Sequence, residues 1–315
     1  MKKIPFLLAL IFSAGTAFSN DFSLTTTLSS DFGEIGEYLF YSNSSPNIIS
    51  YLEWEVLPQI NLEIKADYKI NKFDFGAEIS TALPLACGKM YDSDYTPDNT
   101  KYNYSIGDNN IVFACKANLF AEYNFLTTNA FDFSAIAKLN YYYNHFERTG
   151  AYGWYGNPVY TGLPDYVSYD DPNAKFYKKL SGIEYEQHRV FLFTGFGGNW
   201  KINDSFELKG TFLFSPIAYT RSKDCHKNAN NNTRTFSQDM ETSFFDRFYT
   251  DLTASYRLNN KIKLNAGVFF LWGDLVRGPT YTSTIDGEDI YMKIDQDSGS
   301  DLFLGSVFAG CTILF

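Results

Sequence analysis

Charged and apolar residues alternate along much of the chain. From Phe206 to Phe214 the sequence reads FELKGTFLF, with Phe206, Leu208 and Gly210 opposite Glu207, Lys209 and Thr211. From Asn61 to Asp67, Leu62, Ile64 and Ala66 alternate with Glu63, Lys65 and Asp67. A period of two is the signature of a β-strand, whose successive side chains point to opposite faces. One charged and one apolar face place such strands between two unlike environments.

Breaks in the alternation give the connectivity. Ile70-Asn71-Lys72-Phe73, Leu126-Thr127-Thr128-Asn129, Ile202-Asn203-Asp204-Ser205 and Leu258-Asn259-Asn260-Lys261 are short and polar. Asn, Asp and Ser tolerate the backbone angles of tight hairpins. Between these breaks lie longer segments rich in Asp, Gly, Pro and Asn, at roughly 30–46, 86–110, 149–182, 221–241 and 275–299. Four short turns alternating with five long loops predict ten strands, with both termini on the short-turn side. An even strand number with short turns at one end and long loops at the other fits a membrane barrel. The expected fold is therefore all-β, a ten-stranded antiparallel transmembrane β-barrel over 20–315 with five long extracellular loops. About 55 residues separate short turns in two of the three intervals. Strands of that length exceed the roughly 9–11 residues that cross a bilayer. The barrel is thus expected to extend above the outer membrane and to hold a cleft there. A secreted β-sandwich is the soluble alternative, and this strand length weighs against it.

The start of the chain changes the picture by setting the compartment. Lys2 and Lys3 precede an apolar run from Ile4 to Phe12, followed by small residues including Ala17 and Ser19. This reads as a secretory signal peptide over 1–19. Mean hydropathy is −0.24, yet aromatics make up 18% of the chain. Low hydropathy with many aromatics suits a barrel whose lumen is polar and whose rims carry aromatic girdles. Without 1–19, which holds two lysines and no acid, 24 basic residues face 36 acidic ones, a net charge of −12. That balance argues against a nucleic-acid partner and favours a cationic ligand if the acids gather at one rim. Cys87, Cys115, Cys225 and Cys311 match no zinc spacing. Cys87 and Cys115 flank one loop, which leaves a cross-hairpin disulfide open.

Candidate chemistry lies in two acidic clusters at the long-loop end. Asp92 and Asp94 are expected in the loop after the third strand, and Asp224 and His226 in the loop after the seventh. Each pair has i, i+2 spacing, which aims both side chains to one side of an extended segment. His226 suits a general base at neutral pH, with Asp224 orienting its imidazole. Two adjacent carboxylates repel and share protons, so Asp92 and Asp94 are candidates to position a water and bind a tetrahedral intermediate. Taken singly, Asp-x-Asp is more often a solvated turn or a cation site. A Cys225–His226 thiol site is disfavoured because neighbours on a strand face opposite ways.

Several stretches resemble the omptin family of outer-membrane proteases. Gly88-Lys89-Met90-Tyr91-Asp92-Ser93-Asp94 resembles its Gly-Asn-Met-Val-Asp-Gln-Asp. Leu52-Glu53-Trp54 is similar to its Leu-Asp-Trp, and Leu57-Pro58-Gln59-Ile60 to its Met-Pro-Gln-Ile. Ile183-Glu184-Tyr185-Glu186-Gln187 resembles its Ile-Gly-Tyr-Lys-Gln, and Phe206–Phe212 resembles the strand leading to its Asp-x-His. The resemblance spans most of residues 50–226. It implies an endopeptidase whose catalytic residues are Asp92, Asp94, Asp224 and His226, with activated water as nucleophile and no metal. It implies polypeptide substrates cut near basic residues, an outer-membrane location with the active site facing the exterior, and dependence on lipopolysaccharide.

The chain departs from the family in its substrate-binding residues. The family recognises a basic side chain with buried acids. Glu37 matches one of them, but Ser222 stands where the second is expected, followed by Lys223. Met90 keeps an apolar wall. A lost carboxylate and an added cation are expected to weaken or alter the basic preference. The family's basic lipopolysaccharide contacts correspond here to Asn140-Tyr141-Tyr142-Tyr143-Asn144-His145, an aromatic run. Arg148 and Arg189 are candidate substitutes. The competing reading is an inactive barrel that serves as an adhesin, binding protein or porin-like structural protein.

Overall fold

The computed structural model describes residues 21–42, 45–226, 232–237, 241–242, 246–283 and 292–315. The leader expected over 1–19 lies outside them. The described residues form one antiparallel sheet that closes on itself. Its strands are β1 (Phe22–Phe40), β2 (Ile48–Ile70), β3 (Phe73–Ala82), β4 (Ala86–Tyr95), β5 (Lys101–Thr127), β6 (Phe131–Tyr155) and β7 (Lys175–Tyr177). They continue with β8 (Ile183–Lys201), β9 (Phe206–His226), β10 (Asn232–Ser237), β11 (Glu241–Thr242), β12 (Arg247–Arg257), β13 (Ile262–Ser283) and β14 (Met292–Leu314). A one-turn helix, α1 (Pro158–Thr161), is capped by Asn157 and ends at Gly162.

Ten staves make the ring. β3 and β4 are two halves of one stave between β2 and β5. β10 and β12 share the stave between β9 and β13, and β11 adds to its β9 side. β14 closes the ring on β1, from Ser23↔Leu314 to Leu39↔Ser298. Closure leaves no long unpaired edge, the requirement for crossing a bilayer with strands.

The short turns fall where the sequence places them, and their side chains show why. Asn71 takes φ 56°. Asn203 Oδ1 accepts from the backbone of Ser205 and Phe206, both at 2.9 Å. Asn259 Oδ1 accepts from Lys261 and Ile262 at 2.8 and 3.0 Å. The other end differs from expectation. β1 runs to Phe40, β4 and β5 occupy most of 86–110, β9 continues to His226, and β13 and β14 enter 275–299. Among the described residues, 149–182 contains a long connection, with α1 and β7 inside it. Polar composition suggested loops there. The backbone nevertheless keeps pairing, because a strand above the membrane can be wet on its outer face.

Burial inverts along the staves. Near the short turns, Leu28, Leu62, Ile79, Leu119, Phe196 and Val307 face outward and are exposed. Asp31, Asn61, Lys116, Asn118 and Glu122 face inward and are buried. Lys116 and Asp31 form an ion pair within this polar lumen. Farther from the turns the lumen becomes apolar. Trp54 stacks on Tyr185 and Phe146, with ring centroids 5.3 and 5.9 Å away, and Met90, Phe191 and Phe193 are buried in the same cluster. This layer plugs the barrel and forms a floor for whatever lies above.

Cys87, Cys115 and Cys311 are free thiols. Cys87 is buried on the inner face, whereas Cys115 alternates with the inward Ala114 and Lys116 and so faces out. The cross-hairpin disulfide is not formed, since the two side chains lie on opposite sides of the wall.

Candidate active site

Above the apolar floor, β4 and β9 carry the two acidic clusters on their inner faces. Both clusters are in strands rather than in the loops expected. β4 begins after a break at Leu83–Leu85 and a register shift between Ala86 and Lys89. Gly88 sits in that shift with φ 102°, and a Cβ there would meet Glu55 Oε2 at 2.6 Å. A bulge re-aims the residues that follow it. Met90 then points inward opposite Trp54, with Asp92 opposite Leu52 and Asp94 opposite Ser50.

The last turn of residues in β9 supplies the other side. Asp224 Oδ2 lies 2.7 Å from His226 Nε2. Asp224 is buried, while the His226 side chain keeps 32% of its surface. A buried carboxylate holding a partly exposed imidazole fixes both the ring and its tautomer. Asp224 Oδ1 is buried without a hydrogen-bond partner.

Each member of the aspartate couple has its own surroundings. Asn103 Nδ2 donates to Asp94 Oδ2 at 2.9 Å. Ser105 Oγ and Arg148 Nη1 approach Asp92 Oδ2 at 3.3 and 3.4 Å. Burial, then the charge of Asp92, pushes the Asp94 carboxyl up to about 6, against opposing pulls from Asn103, Ser50 and His226. The pull from His226 brings the two clusters into one electrostatic site.

The substrate-binding candidates lie deeper on the same faces. Glu37 on β1 is buried and accepts from Trp54 Nε1 at 3.3 Å. Its charge, after burial itself, helps push the neighbouring Tyr185 hydroxyl up. Ser222, two residues before Asp224, accepts from Tyr185 at 3.1 Å and from Gln187 Nε2 at 3.0 Å. Arg189 Nε donates to Gln187 Oε1 at 2.5 Å. Arginine has only donors, so its position fixes which way the Gln187 amide points.

Arg148 and Arg189 do not lie on the barrel exterior. Each is 3% exposed and faces inward, which removes them as substitutes for lipid contacts. In the aromatic run, Tyr141 and Tyr143 face outward and engage His188, the former at 2.9 Å to Nδ1. Sequence reasoning missed the contact of Arg148 with Asp92. Parity carried the signal: Arg148 is an even number of residues from the inward Asn140, Asn144 and Phe146. Among the described residues no group of three or more His, Cys, Asp or Glu is placed to hold a metal ion.

Comparison with known proteins gives the family and the fold. The family model described as "Omptin family" matches residues 18–298. The chain belongs to the omptin family. The barrel is similar to the crystal structure of the outer membrane protease OmpT from Escherichia coli. The TM-score is 0.79 at 17% identity, covering 94% of this chain and 97% of that one. The translocator domain of the autotransporter NalP from Neisseria meningitidis aligns with a TM-score of 0.37 at 9% identity, covering 99% and 94%. OprG from Pseudomonas aeruginosa gives 0.37 at 10%, covering 94% and 95%. No curated protein matches the sequence significantly. As an omptin with a closed barrel, apolar outside and polar within, this is an outer-membrane protein.

Proposed function

We propose that this omptin is an endopeptidase facing the cell exterior. A water held between the Asp224–His226 pair and the Asp92/Asp94 couple would hydrolyse the peptide bond. The observation that carries the reading is the 2.7 Å contact of His226 Nε2 with buried Asp224, together with the electrostatic pull of His226 on Asp94 of the inward couple. His226 takes a proton from water and returns it to the leaving amine. Asp224 stabilises the imidazolium in between. The unpaired Asp224 Oδ1 supports a site that awaits a further donor, because a buried carboxylate oxygen is otherwise costly to leave unmatched. The family membership and the likeness to a protein described as an outer membrane protease support the same reaction class.

Glu37 supports a cationic substrate side chain, whereas Ser222 and the nearby Arg189 oppose it, so the preference for basic residues is expected to be weaker than the resemblance implies. The test is digestion of a mixed peptide library by refolded protein, with and without lipopolysaccharide, beside an Asp224→Ala/His226→Ala control. Cleavage that disappears in the control is the expected result. A folded barrel that cleaves nothing under either condition overturns the reading in favour of a binding or structural role.

A further inference from the structure

The wall beside Asp92 is built to admit one particular side chain. The pairing of β5 with β6 shifts register between Ile106 and Asp108, and Gly107 sits in the shift. A Cβ at Gly107 would lie 2.5 Å from Arg148 Cγ. The missing side chain therefore lets Arg148 lie across the stave toward β4. There its Nη1 lies 3.4 Å from Asp92 Oδ2 and donates to Ser105 Oγ at 2.9 Å, while Ser105 donates to the same carboxylate oxygen. Nη2 donates to the Ser181 carbonyl at 3.0 Å. Asp94 receives a neutral amide from Asn103 instead. Among the described residues the couple is thus asymmetric: Asp92 has a buried cation against it, and Asp94 has a neutral amide.

We propose that Arg148 is a positioning residue that offsets the charge of Asp92, so that Asp94 can ionise and accept a hydrogen from the attacking water. This inference rests on the hydrolytic reading above. Two carboxylates on one strand face do not both ionise readily unless a nearby cation offsets one of them. Several titratable groups lie around Asp94 among the described residues. Its own strand contributes Asp92, with Arg148 of β6 against that carboxylate, β6 also contributes Tyr155, β5 contributes Tyr102, and β9 contributes His226 with its partner Asp224. Tyr41 approaches from the segment after β1. Burial pushes the hydroxyls of Tyr41, Tyr102 and Tyr155 up, so they stay neutral while carboxylates titrate. Among the described residues, the charges left to act on Asp94 are Asp92, with Arg148 against it, and His226 with its partner Asp224.

In the resulting step water gives one hydrogen bond to His226 and the other to Asp94. Its oxygen bonds to the carbonyl carbon as His226 takes the first proton. His226 then delivers that proton to the amide nitrogen as the C–N bond breaks, leaving a carboxylic acid and an amine. Asp94 begins and ends ionised and His226 begins and ends neutral, so the acid limb in the pH profile should report both titrations.

The experiment compares kcat/KM against pH for wild type, Arg148→Met, Arg148→Lys, Asp92→Asn and Asp92→Asn/Arg148→Met. In Arg148→Met the acid limb should move to higher pH by about one unit or more, with activity returning toward wild type at alkaline pH. Arg148→Lys should stay near wild type, and the double variant should return the limb toward it. An equal loss at every pH, or an unmoved limb, overturns the proposal. Carboxyl ¹³C NMR of labelled aspartate in a His226→Ala background reads the same titration without turnover. If wild type cleaves no peptide, the hydrolytic reading fails by itself. If it cleaves and neither limb nor NMR titration moves, the role of Arg148 fails.

Discussion

Gln187 and Ser222 face one another across β8 and β9, and the Gln187 amide donates to the Ser222 hydroxyl at 3.0 Å. Tyr185 donates to the same oxygen at 3.1 Å. Arg189 holds the Gln187 carbonyl oxygen on its other side, so the amide cannot turn round. Ser222 is thereby used as an acceptor, and its own proton is what it has left to offer below the dyad. A hydroxyl donor is a poor partner for an arginine or lysine side chain, which carries only donors.

Ser222→Asp tests this wall. The new carboxylate would sit against two existing donors and join Glu37 in facing the entering side chain. Cleavage after Arg or Lys should rise by about tenfold or more relative to neutral residues. Peptide-library profiles of the two proteins measure it, and indistinguishable profiles would show that Ser222 does not read the substrate.

Asp94 carries a cost to folding that depends on pH. Its carboxyl is raised to about 6 by burial and by Asp92, so the folded state binds this proton more tightly than the unfolded chain. Its ionisation therefore costs nothing at low pH. The cost grows as pH rises from the unfolded carboxylate range through 6 and is complete above it. Asp94→Asn removes the charge. It should stabilise the barrel above pH 6 by on the order of 1–3 kcal/mol and have little effect near pH 4. Urea unfolding in lipid vesicles at the two pH values checks the difference, and equal effects at both would refute it.

Deeper in the barrel, Lys116 and Asp31 form a buried ion pair, with Lys116 also 5.0 Å from the centre of the Phe269 ring. Lys116→Met leaves Asp31 buried without its cation. Such a loss costs about 3–5 kcal/mol, whereas replacing both partners with neutral residues costs far less. Lys116→Met/Asp31→Asn should therefore recover most of the stability lost in Lys116→Met. Unfolding of the single and double variants in vesicles decides it, and additive losses would argue against the coupling.

What was legible in the sequence follows from local chemistry. Alternation at 61–67 and 206–214, with Asn at 71, 203 and 259, determined strands, turns and a closed ten-stave ring, because side-chain period and turn angles are properties of neighbouring residues. The i, i+2 spacings of Asp92/Asp94 and Asp224/His226 likewise put each pair on one face. Polar composition misled at the other end, where segments expected as loops keep pairing as strands. Composition reports the solvent beside a segment and not whether its backbone has a partner. Tertiary structure alone decided that Arg148 reaches Asp92 and that Arg189 orients Gln187 toward Ser222. Those contacts join residues on different staves, and which staves meet across the lumen depends on ring closure, register shifts such as that at Gly107, and the space a missing side chain leaves.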